Sequence, residues 1–267
     1  MSYFEGQNFR MHYEIYPGIV PADTVFLHGN LASNNWWKPS LAVWEKESKG
    51  KNYKGSVICA EWRGCGKSSG PDSEEQLKLE ILGKDYVDLL THLKISKVNL
   101  VGHSTGGLIG LYAVKLKPEL FQRLVMLDSV AATGIQFGPE MYAAFTQMSE
   151  NRAMCDAVIS GTIFSESIDA DLRKQLVDDA FHVHPLIWHG VAKMLHNIDF
   201  REEVKTITQP SLVLHGEKDT LLPIAGSKEL AELLPNGRFY EIPNQGHSCN
   251  MENPGLFVKM VNEFLFG

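Results

Sequence analysis

Val98-Asn99-Leu100-Val101-Gly102-His103-Ser104-Thr105-Gly106-Gly107-Leu108-Ile109 is the stretch that decides the fold of this chain. Its first four residues form a short apolar run bounded by a turn, as in a buried strand. Its last residues open a helical pattern that continues to Leu116. Between them stands Gly-x-Ser-x-Gly, a pattern too short to mean much alone. A strand before it and a helix after it are the context that gives it weight. The serine must sit at the tip of a sharp turn, and flanking glycines leave room where a Cβ would clash. The helix start offers free N–H groups and the positive end of a dipole. The backbone N–H of Thr105 can then stabilise an oxyanion formed when Ser104 attacks a carbonyl.

Working outward, strands and helices alternate. Residues 9–16, 24–27, 56–60, 98–101, 124–127, 212–214 and 238–242 read as strands. Helical spacing runs through Trp37, Leu41 and Trp44, through Leu82, Tyr86, Leu89 and Leu93, and over 108–116, 227–234 and 257–264. Short buried strands alternating with helices predict an α/β fold, a mostly parallel, doubly wound sheet covered on both faces. Residues 134–200 break the rhythm, with several weak helical patterns and no convincing strand. The segment is long for a single crossover, so it is expected to be a small helical cap inserted in the core. The expected division is a core of 1–133 and 201–267 with a cap of 134–200.

Composition narrows the function. The chain has 267 residues, 44% of them hydrophobic, enough to bury the core of one catalytic domain. The net charge of −7, without a block of like charge, argues against a nucleic-acid partner. Cys59, Cys65, Cys155 and Cys249 match neither a disulfide framework nor a zinc pattern, and suggest reduced thiols in a cytoplasmic protein. No signal peptide is evident, and no apolar stretch approaches the roughly 20 residues that span a bilayer. Gly66-Lys67-Ser68 hints at a phosphate loop, but the glycine required five positions earlier is Glu61. His182, His184 and His189 cluster around Trp188. Positions two apart on a helix do not share a face, and no carboxylate or thiolate spacing accompanies them. Neither a metal nor a cofactor is expected.

With these residues in view, the sequence resembles the α/β-hydrolase superfamily over nearly its whole length outside the cap. The resemblance takes in the His28-Gly29 turn and Glu61-Trp62-Arg63-Gly64-Cys65-Gly66-Lys67-Ser68, close to the family's D-x-R-G-x-G-x-S stretch. Glu61 departs from the usual Asp, a change not expected to affect catalysis, with the local turn left open. A serine hydroxyl is a weak nucleophile at neutral pH and needs a base within reach. The resemblance implies His247, in the turn Pro243-Asn244-Gln245-Gly246-His247 after the last strand. It implies an acid after the preceding strand, Asp219 in His215-Gly216-Glu217-Lys218-Asp219, to fix the imidazole tautomer. Asp128, after the strand 124–127, is the alternative acid, since the order Ser, acid, His permits either. The second oxyanion donor is implied to be the backbone N–H of Asn30, or of Leu31 if the loop is shifted. The His-Gly-Asn loop also resembles haloalkane dehalogenases. Those enzymes attack with an aspartate, where this chain has Ser104, so dehalogenation and epoxide hydrolysis are disfavoured.

Leu31, Trp36, Trp37 and His103 are candidate pocket residues, with core packing the equal alternative for the two tryptophans. The expected activity is cofactor-free hydrolysis of a carboxylic ester with an apolar acyl or alcohol part. Lactonases, C–C bond hydrolases and perhydrolases similar to cofactor-free haloperoxidases share the constellation, because specificity lives in the pocket. A non-catalytic small-molecule receptor on the same scaffold is the alternative of a different class. Substrate identity and oligomeric state are not written in the sequence.

Overall fold

The computed structural model describes residues 2–164 and 168–267. In chain order come strands β1 (Ser2–Gly6), β2 (Phe9–Val20) and β3 (Thr24–Leu27), helix α1 (Lys38–Ser48), β4 (Gly55–Ala60) and α2 (Leu79–His92). They are followed by β5 (Val98–His103), α3 (Thr105–Leu116) and β6 (Phe121–Leu127). Four helices come next, α4 (Pro139–Glu150), α5 (Arg152–Gly161), α6 (Ala170–Phe181) and α7 (Pro185–His196), and then the short α8 (Arg201–Val204). The chain closes with β7 (Ser211–Gly216), α9 (Ile224–Leu233), β8 (Gly237–Ile242), α10 (Cys249–Glu252) and α11 (Pro254–Phe266).

The strands form one eight-stranded sheet in the order β1-β2-β4-β3-β5-β6-β7-β8. β2 runs antiparallel to β1 and β4, and every other pairing is parallel. The period of two along each strand divides the apolar residues between the two faces. Val25, Leu27, Ile58, Leu100, Met126 and Val213 share one cluster with α2 and α3. Phe26, Val57, Cys59, Val101, Val125 and Leu214 share the other with Leu41 and Trp44 of α1 and Phe257 and Val261 of α11. Each fully buried Leu, Val or Phe contributes roughly 1.5–3 kcal/mol relative to exposure.

The strand β1 is absent from the sequence reading. Only Phe4 of its five residues is buried, so no alternation marks it. It pairs with β2 through a tight turn at Gln7-Asn8, where Asn8 takes φ 54, a conformation asparagine tolerates. β2 runs on past Pro17 to Val20 by way of a register shift. Between β6 and β7 the chain is helical, with α4 to α7 forming the inserted cap and no strand among the described residues. No helix among the described residues is long and apolar enough to cross a membrane.

Parallel strands aim their C-terminal ends at one edge, so the loops leaving them meet there. Residues 28–31 leave β3, 61–68 leave β4, Ser104 leaves β5 and Asp128 leaves β6. Residues 217–221 leave β7 and 243–248 leave β8. Asn30, Leu31, Ser104, Asp128, Asp219 and His247 lie on these loops, Thr105 follows directly, and His103 ends β5 at the same edge.

Candidate active site

Ser104 occupies the turn between β5 and α3 at φ 54 and ψ −124. That backbone is unfavourable for a residue with a Cβ and costs on the order of 1–3 kcal/mol. Neighbours hold it in place. Its N–H donates to the Leu127 carbonyl at 3.0 Å, and its carbonyl accepts the Val130 N–H at 3.2 Å. Gly106 allows α3 to press on the end of β3, since an added Cβ would lie 2.4 Å from the carbonyl oxygens of Leu27 and His28. The loop after β3 touches the turn as well, because a Cβ on Gly29 would sit 3.0 Å from the Ser104 Cβ. Thr105 is the first residue of α3, so its N–H has no acceptor inside the helix. The Ser104 hydroxyl has no hydrogen-bond partner among the described residues. Serine–base contacts are often loose without substrate and tighten in the complex.

His247 and Asp219 are brought together. The His247 Nδ1–H donates to Asp219 Oδ2 at 2.7 Å. Asp219 Oδ1 accepts the N–H groups of Leu221 at 2.7 Å and Leu222 at 3.2 Å. Burial pushes this carboxyl upward, but the His247 contact and the two amides outweigh it and hold it below the usual carboxylate range. Asp219 is therefore charged at neutral pH, and its partner on Nδ1 leaves the His247 Nε2 as the proton-accepting nitrogen.

His103 fastens the His247 loop to the serine turn. Its Nε2–H donates to the His247 carbonyl at 2.9 Å, and the two rings lie 4.8 Å apart. Complete burial lowers its pKa to about 3, with the neighbouring His247 acting in the same direction. The ring is neutral and its Nδ1 is bare. His28, on the strand side of the same edge, is lowered to about 4 by burial.

The other predicted residues divide. Asn30 is half-buried, with its side-chain oxygen enclosed and without a partner. Leu31 is buried with φ 52. Trp36 is buried and stacks on His103 at 6.0 Å. Trp37 is fully buried in the core among Phe26, Phe257 and the edge of His103. A cavity of about 300 Å³ opens beside Asp219 and His247, walled by Thr162 and Phe164 on the cap side and by Lys218, Leu221 and Gly246. Ser104, Leu31, Trp36, Trp37 and His103 do not line it. A larger space of about 510 Å³, bounded by Glu74, Tyr112, Lys193 and Phe200, touches neither Ser104 nor His247. Asp128 is fully buried behind the pair and makes no hydrogen bond to His247. The cap histidines point to separate partners. His182 meets the Asp178 carbonyl, His184 caps α7, and His189 meets Thr146.

Residues 25–254 match the family model for the alpha/beta hydrolase fold. The chain belongs to the α/β-hydrolase family. This α/β-hydrolase is 28% identical over 264 residues to a protein named for carbamate hydrolysis, RutD of Yersinia enterocolitica, spanning 96% of this chain and 92% of that one. Among solved structures, the enol-lactonase from Burkholderia xenovorans superposes with a TM-score of 0.81 at 24% identity, covering 100% of both chains. The esterase from Exiguobacterium antarcticum superposes with a TM-score of 0.85 at 20% identity, covering 97% of this chain and 96% of that one. Family membership and the hydrolase names of its relatives make this chain an enzyme of hydrolytic type.

Three carboxylates organise the hydrolase's loops in ways the sequence did not reveal. Glu61 is buried and accepts from His12 Nδ1 at 2.9 Å, the Asn34 N–H at 3.1 Å and the Lys67 N–H at 2.7 Å. Burial pushes its carboxyl up, but these donors prevail and hold it low. It thereby joins β2, the loop after β3 and the Gly-rich turn. The motif around Glu61 is legible in the sequence, but its partners His12 and Asn34 lie 49 and 27 positions away. Glu252 accepts the N–H groups of Phe164 at 2.8 Å, Gly246 at 2.6 Å and Ser248 at 3.2 Å, tying the cap to the His247 loop. A serine and an acid flank α10, but four positions apart, one more than a capping box. Asp179 of α6 accepts from Ser33 Oγ and Asn35 Nδ2, each at 2.5 Å. No local signal marks that contact.

Proposed function

We propose that this enzyme hydrolyses carboxylic esters through an acyl-enzyme formed on Ser104, with His247 as base and Asp219 as its orienting acid. The observation that carries the reading is the Asp219–His247 pair, 2.7 Å apart and fastened through His103 to the turn that bears the strained Ser104. Ser104 Oγ attacks the ester carbonyl while His247 Nε2 takes its proton. The N–H groups of Asn30 and Thr105 hold the oxyanion of the tetrahedral intermediate. Collapse expels the alcohol, which leaves with the proton from His247. Water then enters, loses a proton to the same nitrogen and attacks the acyl carbonyl. The second tetrahedral intermediate releases the acid and restores Ser104. Asp219 stays ionised throughout and stabilises the imidazolium.

Residues 134–200 act as a lid over the core formed by 1–133 and 201–267. Phe164 and Leu221 in the wall of the cavity beside His247 support an apolar group in the substrate, although Glu217 and Lys218 share that wall and Ser104 does not. Lactones and carbamates would begin with the same attack by Ser104, but in a lactone the freed hydroxyl stays tethered to the acyl group, and a carbamate leaves a carbamoyl group on the serine for water to release. The enol-lactonase and carbamate-hydrolase names among the relatives support including both in a substrate panel.

Turnover of a short p-nitrophenyl ester tests the assignment. Ser104→Ala should lower kcat at least about a thousandfold, as loss of a nucleophile does elsewhere. A fluorophosphonate probe should label the wild type at Ser104 alone. Retained turnover in the variant would refute the reading. An unlabelled Ser104 together with tight binding of an unmodified ligand would point to a receptor instead.

A further inference from the structure

The mechanism above leaves one buried carboxyl unused. Asp128 follows β6, is fully buried and stands at φ 41, where a non-glycine residue is strained. Asp and Asn tolerate that region better than other side chains. Its Oδ1 accepts the Gly216 N–H at 2.8 Å. Its Oδ2 is enclosed and has no hydrogen-bond donor among the described residues. A second carboxylate is close by, since one carboxyl oxygen of Asp128, one of Asp219 and a ring nitrogen of His247 lie within 4.8 Å of one another.

The other titratable groups around it supply no compensating charge. The His215 Nδ1 is 3.5 Å from Asp128 Oδ1, and its Nε2 is 3.8 Å from Asp219 Oδ2. Burial lowers the pKa of that ring, and its Nδ1 is hydrogen-bonded to Ser227. Glu252 and Cys249 bring no positive charge either. Two carboxylates this close in a buried site do not both ionise. Asp219 has the imidazole and two amides, all favouring its charged form. The proton therefore resides on the other one. Burial and the charge of Asp219 push the Asp128 carboxyl well above the usual range.

We propose that Asp128 is a positioning residue, a neutral carboxylic acid whose Oδ2–H donates to Asp219 and braces that carboxylate in the orientation His247 requires. The proposal rests on the assignment of Asp219 and His247 as acid and base. It separates the two candidate acids by role: one is ionised and holds the imidazole, the other is protonated and holds the first.

Asparagine reproduces a protonated aspartic acid, with an oxygen for Gly216, an N–H for Asp219 and tolerance of positive φ. Asp128→Ala is expected to lower kcat about tenfold, the loss of one hydrogen bond to a charged group, with little change in KM. Asp128→Asn should recover most of that loss, and the acid limb of its kcat/KM profile should coincide with that of the wild type. Infrared spectra of the wild type in D2O at pH 7 should contain a protonated-carboxyl C=O band that Asp128→Asn lacks. That measurement needs no substrate, so it stands or falls independently of the ester reading. The proposal is overturned if no such band is lost. It is also overturned if Asp128→Asn shifts the acid limb down by about one pH unit, as removal of an ionised neighbour of His247 would.

Discussion

At the scale of single residues, the site is built by keeping some groups charged and others neutral. Asp219 is held ionised by its donors, whereas His103 and His28 are held neutral by burial, at about 3 and about 4. These shifts have a consequence for stability. Both histidines have folded-state values below the ordinary 6.5, so the unfolded chain binds protons that the fold refuses. Stability must therefore fall as pH drops from about 6.5 toward 4, by up to about 1.4 kcal/mol per pH unit for each ring. Asp219 and Glu61 act in the same direction in a lower window. Their depressed values confer stability that is present above the ordinary carboxylate range and lost as pH falls through the folded values. Urea unfolding at a series of pH values checks this. The wild type should lose stability steadily below pH 6.5, and His103→Gln should show a slope shallower by about one proton. An identical slope in the two proteins would mean that His103 is not held neutral.

At the scale of elements, the cap is joined to the core by side chains at particular points. Asp179 ties α6 to the loop that follows β3, and Glu252 ties Phe164 to the His247 loop. Asp179→Ala removes the acceptor for both Ser33 and Asn35. Amide hydrogen exchange should then quicken in α6 and residues 31–37, and KM should rise several-fold while fluorophosphonate still labels Ser104. Unchanged exchange in both segments would show that the latch does not hold the cap. These elements also mark what the sequence can and cannot reveal. Apolar runs such as Thr24–Leu27 are buried on both faces and read directly as strands. β1 buries one side chain of five and carries no such pattern. The Ser33–Asp179 contact spans 146 positions, and no local propensity encodes it. Ser104 could be nominated from its setting between an apolar strand and a helix, and Asp219 and His247 from the turns in which the family resemblance places an acid and a base. The tryptophan pair was ambiguous because burial in the core and burial beside a pocket look the same in composition. The separate role argued for Asp128 depends on which oxygen lacks a donor, and only coordinates supply that.

At the scale of the whole molecule, parallel order gathers the chemistry. Six successive loops leave one edge of the sheet, bringing together residues from Asn30 to His247. Apolar layers pack on both faces of the sheet that carries this edge. On the proposed function, this convergence serves covalent catalysis at Ser104. Rapid-quench mass spectrometry during turnover of a p-nitrophenyl ester tests that claim most directly. The account predicts a transient adduct with the mass of the acyl group, on the peptide containing Ser104 and absent from Ser104→Ala. Full-rate turnover with Ser104 unmodified, or an acyl group carried on another residue, would contradict it.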